Sequence, residues 1–142
     1  MYLTDEDYIA VYSKVPRLCV DLVIRNEQGL LLLVKREQQP YVGLWHLPGG
    51  RVRKGETIEQ AARRIAASEI GADVSVVRCL GYMEFRRDQG DLQECHSVSI
   101  VLSCAMQGCV KGTKATDVEW YVQVPEEGIH PVHQQWLKEN RE

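Results

Sequence analysis

The chain has 142 residues and a formal net charge of −3, enough for one compact domain over residues 1–142 with a substantial core but without the basic excess of a nucleic-acid binder. No apolar run approaches the ~18 residues of a membrane span, and the acidic start YLTDEDY is the opposite of a signal peptide, so no membrane partner and a cytoplasmic location are expected. Cys19, Cys79, Cys95, Cys104 and Cys109 are odd in number and lack the two-residue spacing of a zinc or redox motif, so they read as free thiols of a reducing compartment.

A short helix is predicted from Asp5 to Tyr12, followed by strands at 17–25 and 30–36 joined by a turn from Asn26 to Gly29. In RLCVDLVIR the apolar Leu18, Val20, Leu22 and Ile24 alternate with a more polar set that includes Asp21, as in a half-buried strand. Asp21 then reads either as a functional acid or as an exposed carboxylate paired with Arg17 or Arg25. On the residues alone Arg36 could equally be a solvated strand end. Tyr41 and Trp45 flank the flexible PYVG segment, where each could stack on a base or belong to the core.

In LWHLPGGRV, Pro48 breaks regular structure and Gly49-Gly50 lets backbone carbonyls and amides approach a ligand. Arg51 and Arg53 follow; either could clamp a phosphate bidentately, and Arg51 is favoured because strand alternation sends at least one of them into solvent. Thr57 with Gln60 three residues later has the form of a capping box, and Gly71 fits a C-terminal stop, so a helix spans Thr57 to Ile70. Ile58, Ala61, Ala62, Ile65 and Ala66 form its apolar stripe, and Glu69 falls inside that stripe. A carboxylate there is disfavoured by desolvation and by the helix C-terminus, so it wants a cation. A glycine-turn carbonyl plus this carboxylate is oxygen ligation suited to Mg²⁺ or Mn²⁺.

Strands around 74–86 and 93–106 follow as a hairpin about Asp88 to Asp91, then a strand at 117–123 and a helix from Pro131 to Asn140. Strands flanked by helices imply an α/β sandwich with a mixed sheet. His46, His96, His130 and His133 suggest no metal constellation, and the spacing of the last two reads as incidental.

The stretch GGRVRKGETIEQAARRIAASEIGA resembles the Nudix box: Gly50, Glu56, Arg64, Glu69, Gly71 and Ala72 match in register, while Ile65 and Ser68 stand where the family has two further acids. The resemblance implies an α/β/α sandwich. Losing a positioned general base costs about 10² to 10⁴ in rate, so ordinary diphosphate cleavage is not expected. GDP-mannose mannosyl hydrolases are Nudix proteins whose box has the same two acids replaced, and the first half of this chain, including MYLTDEDYIAVYSKVPRLCVDLVI and the VKR at 34–36, is similar to theirs. That likeness implies Gly49 and Glu69 as ligands of one Mg²⁺, Asp21, Arg36 and Arg51 as substrate contacts, and Glu56 with Arg64 as supports of the box. The subfamily's histidine base and its preceding glutamine would fall near Ala115 and Lys114, where GCVKGTKATD holds no histidine. Asp117, Glu119, Glu84, Glu94 and His96 remain as candidate bases, and Lys114 as a diphosphate contact.

The expected function is Mg²⁺-dependent hydrolysis of a nucleoside diphosphate derivative, a nucleotide sugar of the GDP-mannose type. The alternatives are a nucleotide-binding or regulatory protein without turnover, and diphosphate cleavage by a base outside the box. A homodimer is a possible assembly.

Overall fold

The computed structural model describes residues 3–36, 42–86, 96–108 and 118–140. Helix α1 (Asp5–Tyr12) is capped by Thr4, whose hydroxyl accepts from Asp7 N–H at 3.1 Å. Strands β1 (Arg17–Ile24) and β2 (Leu31–Lys35) follow. Between them the Asn26 carboxamide accepts from Gln28 and Leu30 N–H at 3.0 and 2.9 Å, and Gly29 takes a φ of 79°. Two short strands that the sequence does not announce, β3 (Trp45–His46) and β4 (Gly49–Arg51), bracket Pro48.

Helix α2 (Ile58–Ile70) has its capping box in place: Thr57 Oγ1 accepts from Gln60 N–H at 3.1 Å, and the Gln60 side chain accepts from Thr57 N–H at 2.9 Å. Gly71 ends it in the left-handed region at φ 63°. Strands β5 (Asp73–Phe85), β6 (Ser97–Gln107) and β7 (Val118–Tyr121) and helix α3 (Pro131–Glu139) complete the order. The turn about Asp88 to Asp91 lies outside the described residues.

The strands form two sheets, ordered β4-β1-β6-β5 and β3-β2-β7, with β1 parallel to β6 and antiparallel to β4. The sheet is therefore mixed, as expected, but β1 and β2 enter different sheets, joined beside their turn by the Arg25–Leu31 bridge. Alternation along β1 and β2 divides the interior. Val20, Leu22, Ile24, Leu32 and Val34 pack with Ala61, Ala62, Ile65, Ala66 and Ile70 of α2. Val23, Leu31 and Leu33 pack instead with Leu47, Met83, Val101, Ile129 and Leu137 on the side of α3. The result is an α/β/α sandwich, and among the described residues no helix is long and apolar enough to cross a membrane.

Candidate active site

A cavity of about 230 Å³ opens on the α3 side of the four-stranded sheet. Strand parity explains its polar wall: Cys19 and Asp21 share a face with Val23, opposite the residues that pack on α2. The half-buried strand read from the sequence is corrected here. β1 is an interior strand with helices over both faces, and Asp21 is only 7% exposed. Its carboxylate accepts from Ser99 Oγ on neighbouring β6. Burial drives its pKa up to about 7, against the opposing pull of Ser99, Arg17 and Arg36.

Gly49 is paired with Asp21 across β4. A β-carbon at Gly49 would sit 2.8 Å from the Val20 carbonyl oxygen and collide with the Asp21 carboxylate, so this glycine is required for Asp21 to occupy the cavity wall. At Gly50 the same construction meets Ile65 Cδ1 at 3.4 Å, on the opposite side of the strand.

Three arginines border the cavity from three strands: Arg17 on β1, Arg36 just after β2 and Arg51 on β4. Arg17 donates from Nε to Ser97 Oγ at 2.9 Å and from Nη1 to the Tyr8 hydroxyl. The backbone of Arg36 is pinned by exchange with the next loop, its N–H donating to Leu44 O and its carbonyl accepting from Gly43 N–H, both at 2.8 Å. Arg53 does not line the cavity. Trp45 does not either; it packs edge-to-face on Tyr121 with centroids 5.6 Å apart, whereas Tyr8 and Phe85 supply the aromatic lining. Tyr41 lies outside the described residues.

The histidines, read from the sequence as unrelated, converge. His130 and His133 have ring centroids 5.0 Å apart, and His46 lies 5.9 Å from His133. All three line the cavity. Burial, as the main cause, lowers the pKa of His46 and His130 to about 4 and that of His133 well below its ordinary value, with Arg36 adding to the effect on each. The spacing of three is therefore structural: His130 caps α3, its Nδ1 accepting from Val132 N–H at 3.2 Å, and Pro131 starts the helix. His133 follows one turn later, facing inward.

The Glu56–Arg64 brace lies behind β4. Arg64 donates from Nε to Glu56 Oε2 at 2.6 Å and from Nη2 to Glu56 Oε1 at 3.0 Å and the Arg51 carbonyl at 2.7 Å; Glu56 Oε1 also accepts from Arg53 N–H at 2.9 Å. The Arg64 bonds are the main reason that Glu56 is held at a pKa of about 2. Fork-to-fork geometry of this kind fixes the loop to the helix.

Glu69 is half-buried one turn beyond Ile65, on the stripe that α2 turns to the sheet. It does not line the cavity. The sequence-derived residues thus divide: Asp21, Arg36, Gly49 and Arg51 meet in the cavity, whereas Glu56, Arg64 and Glu69 lie on the helix side of the edge strand β4. Among the described residues no three His, Cys, Asp or Glu side chains converge as a metal centre. The donors that the box resemblance assigns to a metal, the Glu69 carboxylate and the Gly49 carbonyl, make an oxygen set. It fits Mg²⁺, an ion that keeps several waters and takes further oxygens from substrate phosphates.

Glu84, His96 and Glu119 are exposed and do not line the cavity; Glu94, Lys114, Ala115 and Asp117 lie outside the described residues. Of the cysteines, Cys19, Cys79 and Cys104 are free thiols.

The NUDIX domain pattern matches residues 15–140. The chain is 33% identical over 140 residues to the low-salt glycan biosynthesis protein Agl8 of Haloferax volcanii, covering 95% of this chain and 88% of that protein. Among solved structures it is similar to a MutT protein from Methanosarcina mazei, with a TM-score of 0.75 at 23% identity over 91% of this chain and 99% of that one. It is also similar to a MutT NUDIX hydrolase from Burkholderia pseudomallei, with a TM-score of 0.70 at 25% identity over 91% and 100% of the two chains. With the box glycine, the brace and the sandwich all in place under a pattern that runs from the start of β1 to the end of α3, the chain belongs to the Nudix hydrolase family.

Proposed function

We propose that this Nudix hydrolase releases the sugar from a nucleotide sugar of the GDP-mannose type in the presence of Mg²⁺, with water attacking the anomeric carbon. The observation that carries the reading is Ile65. It stands in the register of a box acid, is 3% exposed and packs on Gly50, and Ser68 in the second acidic register is exposed. No carboxylate at either place activates water against phosphorus, so the diphosphate is better read as the leaving group.

In this reading the glycosyl C–O bond breaks and its electron pair stays on the nucleoside diphosphate oxygen, while water oxygen bonds to an oxocarbenium-like carbon and gives up a proton to solvent. Arg36 and Arg51, which border the cavity, meet the developing diphosphate charge. Asp21, whose place is secured by Gly49, contacts the sugar. Gly49 and Glu69 would hold Mg²⁺, which adds positive charge beside the departing diphosphate. Glu56 and Arg64 keep β4 and α2 in register. The name of the Haloferax relative, a glycan biosynthesis protein, supports a sugar-bearing substrate.

Turnover of a nucleotide and nucleotide-sugar panel with Mg²⁺ tests the proposal. Free sugar with nucleoside diphosphate supports it. Nucleoside monophosphate with sugar phosphate would instead mean diphosphate cleavage by a base outside the box, and binding without turnover would mean a nucleotide-binding or regulatory protein, a reading that the two replaced acids favour.

A further inference from the structure

The three clustered histidines, His130 and His133 buried and His46 half-buried, have no part in the chemistry above, yet hydrogen bonds set the ring polarity of each. His46 Nδ1 lies 2.7 Å from the Leu47 carbonyl, which can only accept, so Nδ1 carries the proton and Nε2 is left as a lone pair. Leu47 N–H donates to His133 Nδ1 at 3.0 Å, so the proton of His133 is on Nε2. Val132 N–H does the same to His130 Nδ1 at 3.2 Å. A single residue, Leu47, thus sets two rings to opposite polarity through its two backbone groups. Toward the cavity His46 thus offers an acceptor and His133 a donor, without a formal charge.

This polarity discriminates between the halves of a nucleotide sugar. Phosphate oxygens only accept, and they are served by the arginines; a lone pair at His46 would repel them. A hydroxyl both donates and accepts, so adjacent hydroxyls match a wall of mixed polarity. Phe85, 5.5 and 5.6 Å from the rings of His130 and His133, adds an apolar surface for the C–H face of a sugar. The size agrees: about 230 Å³ is below the about 300–1,000 Å³ of sites that enclose a whole drug-sized ligand, and so suits one ring rather than an entire nucleotide sugar.

We propose that His46 and His133 form a hydroxyl-reading wall that seats the glycosyl ring and selects for it, leaving the nucleoside diphosphate to the arginines that border the cavity. This rests on the nucleotide-sugar reading above and assigns it a sugar subsite.

The test is binding of GDP-mannose and of GDP, each with Mg²⁺, to the unmodified protein and to His46→Phe, together with GDP-mannose analogues in which single hydroxyls are replaced by hydrogen. His46→Phe should weaken GDP-mannose about tenfold, the worth of one buried hydrogen bond, and change GDP less than twofold. At least one deoxy analogue should lose about tenfold on the unmodified protein and nothing further on His46→Phe. Equal losses for GDP and GDP-mannose would assign the wall to the nucleotide half and overturn the inference. So would equal binding of all deoxy analogues to the unmodified protein, a result independent of how the variant folds. If the unmodified protein releases sugar from no nucleotide sugar, the functional reading fails and the inference with it; if it does release sugar and His46→Phe binds both ligands as before, only the inference fails.

Discussion

On the α2 side of the four-stranded sheet, Glu56 and Arg64 are ionised and locked together by two hydrogen bonds, with a backbone carbonyl and an N–H completing the set. On the α3 side, Asp21 is pushed up to about 7 and three histidines are held neutral by burial. Strand β4 separates the two, with Gly49 serving one side and Gly50 the other. Where partners are supplied, charge persists under partial burial; where desolvation dominates, the histidines are neutral and Asp21 is shifted toward its neutral form. In the proposed function the first side holds the metal edge and the second holds the sugar.

The sharpest break of that division is Glu69→Gln, which removes the carboxylate proposed as a metal ligand. Mg²⁺-dependent binding should fall by at least about a hundredfold, beyond the 10–100-fold typical of losing a partner that merely supports a ligand. Unchanged Mg²⁺ titration would remove the metal from this edge.

Next in size is Ile65→Glu with Ser68→Glu. Placing a carboxylate at a 3% exposed core position should cost about 3 kcal/mol in urea unfolding, while the folded fraction gains diphosphate cleavage measured as nucleoside monophosphate release. A stable double variant without that gain would mean that the helix does not face the diphosphate. Arg64→Ala should cost about 2 kcal/mol, the worth of charge-assisted hydrogen bonds lost from a partly buried carboxylate, and the Glu56 titration should return toward the ordinary carboxylate range by NMR.

The smallest expected effect is on the pH dependence of stability. A histidine whose folded pKa lies below its unfolded value stabilises the fold fully above about 6.5 and loses that contribution as pH falls toward about 4, because the unfolded chain takes up the proton first. Replacing His46 by Gln should therefore flatten the stability loss between pH 6.5 and 5.5 by about 1 kcal/mol. An unaltered slope would mean that His46 is not held neutral.

Much of the α2 side was legible in the sequence because its signals are local. The capping box, Gly71 and the spacing of Glu56 and Arg64 lie within one loop and one helix, and the structure keeps them as read. Asp21 was legible as a candidate but not its burial, since alternation cannot tell a half-buried strand from an interior one whose second face is covered later by α3. The histidine cluster was missed because His46 and the α3 pair are far apart in sequence. A signal was nevertheless present: His133 lies three and four residues before Trp136 and Leu137, on the apolar side of α3, the argument that singled out Glu69 on α2. The short strands β3 and β4 carry too few residues for any period to register.

The central claim, that the sugar and not a phosphorus receives water, is tested most directly by turnover of GDP-mannose in ¹⁸O-labelled water with Mg²⁺. The account predicts label in the released sugar and none in the nucleoside diphosphate. Label in a nucleoside monophosphate or a sugar phosphate would contradict it.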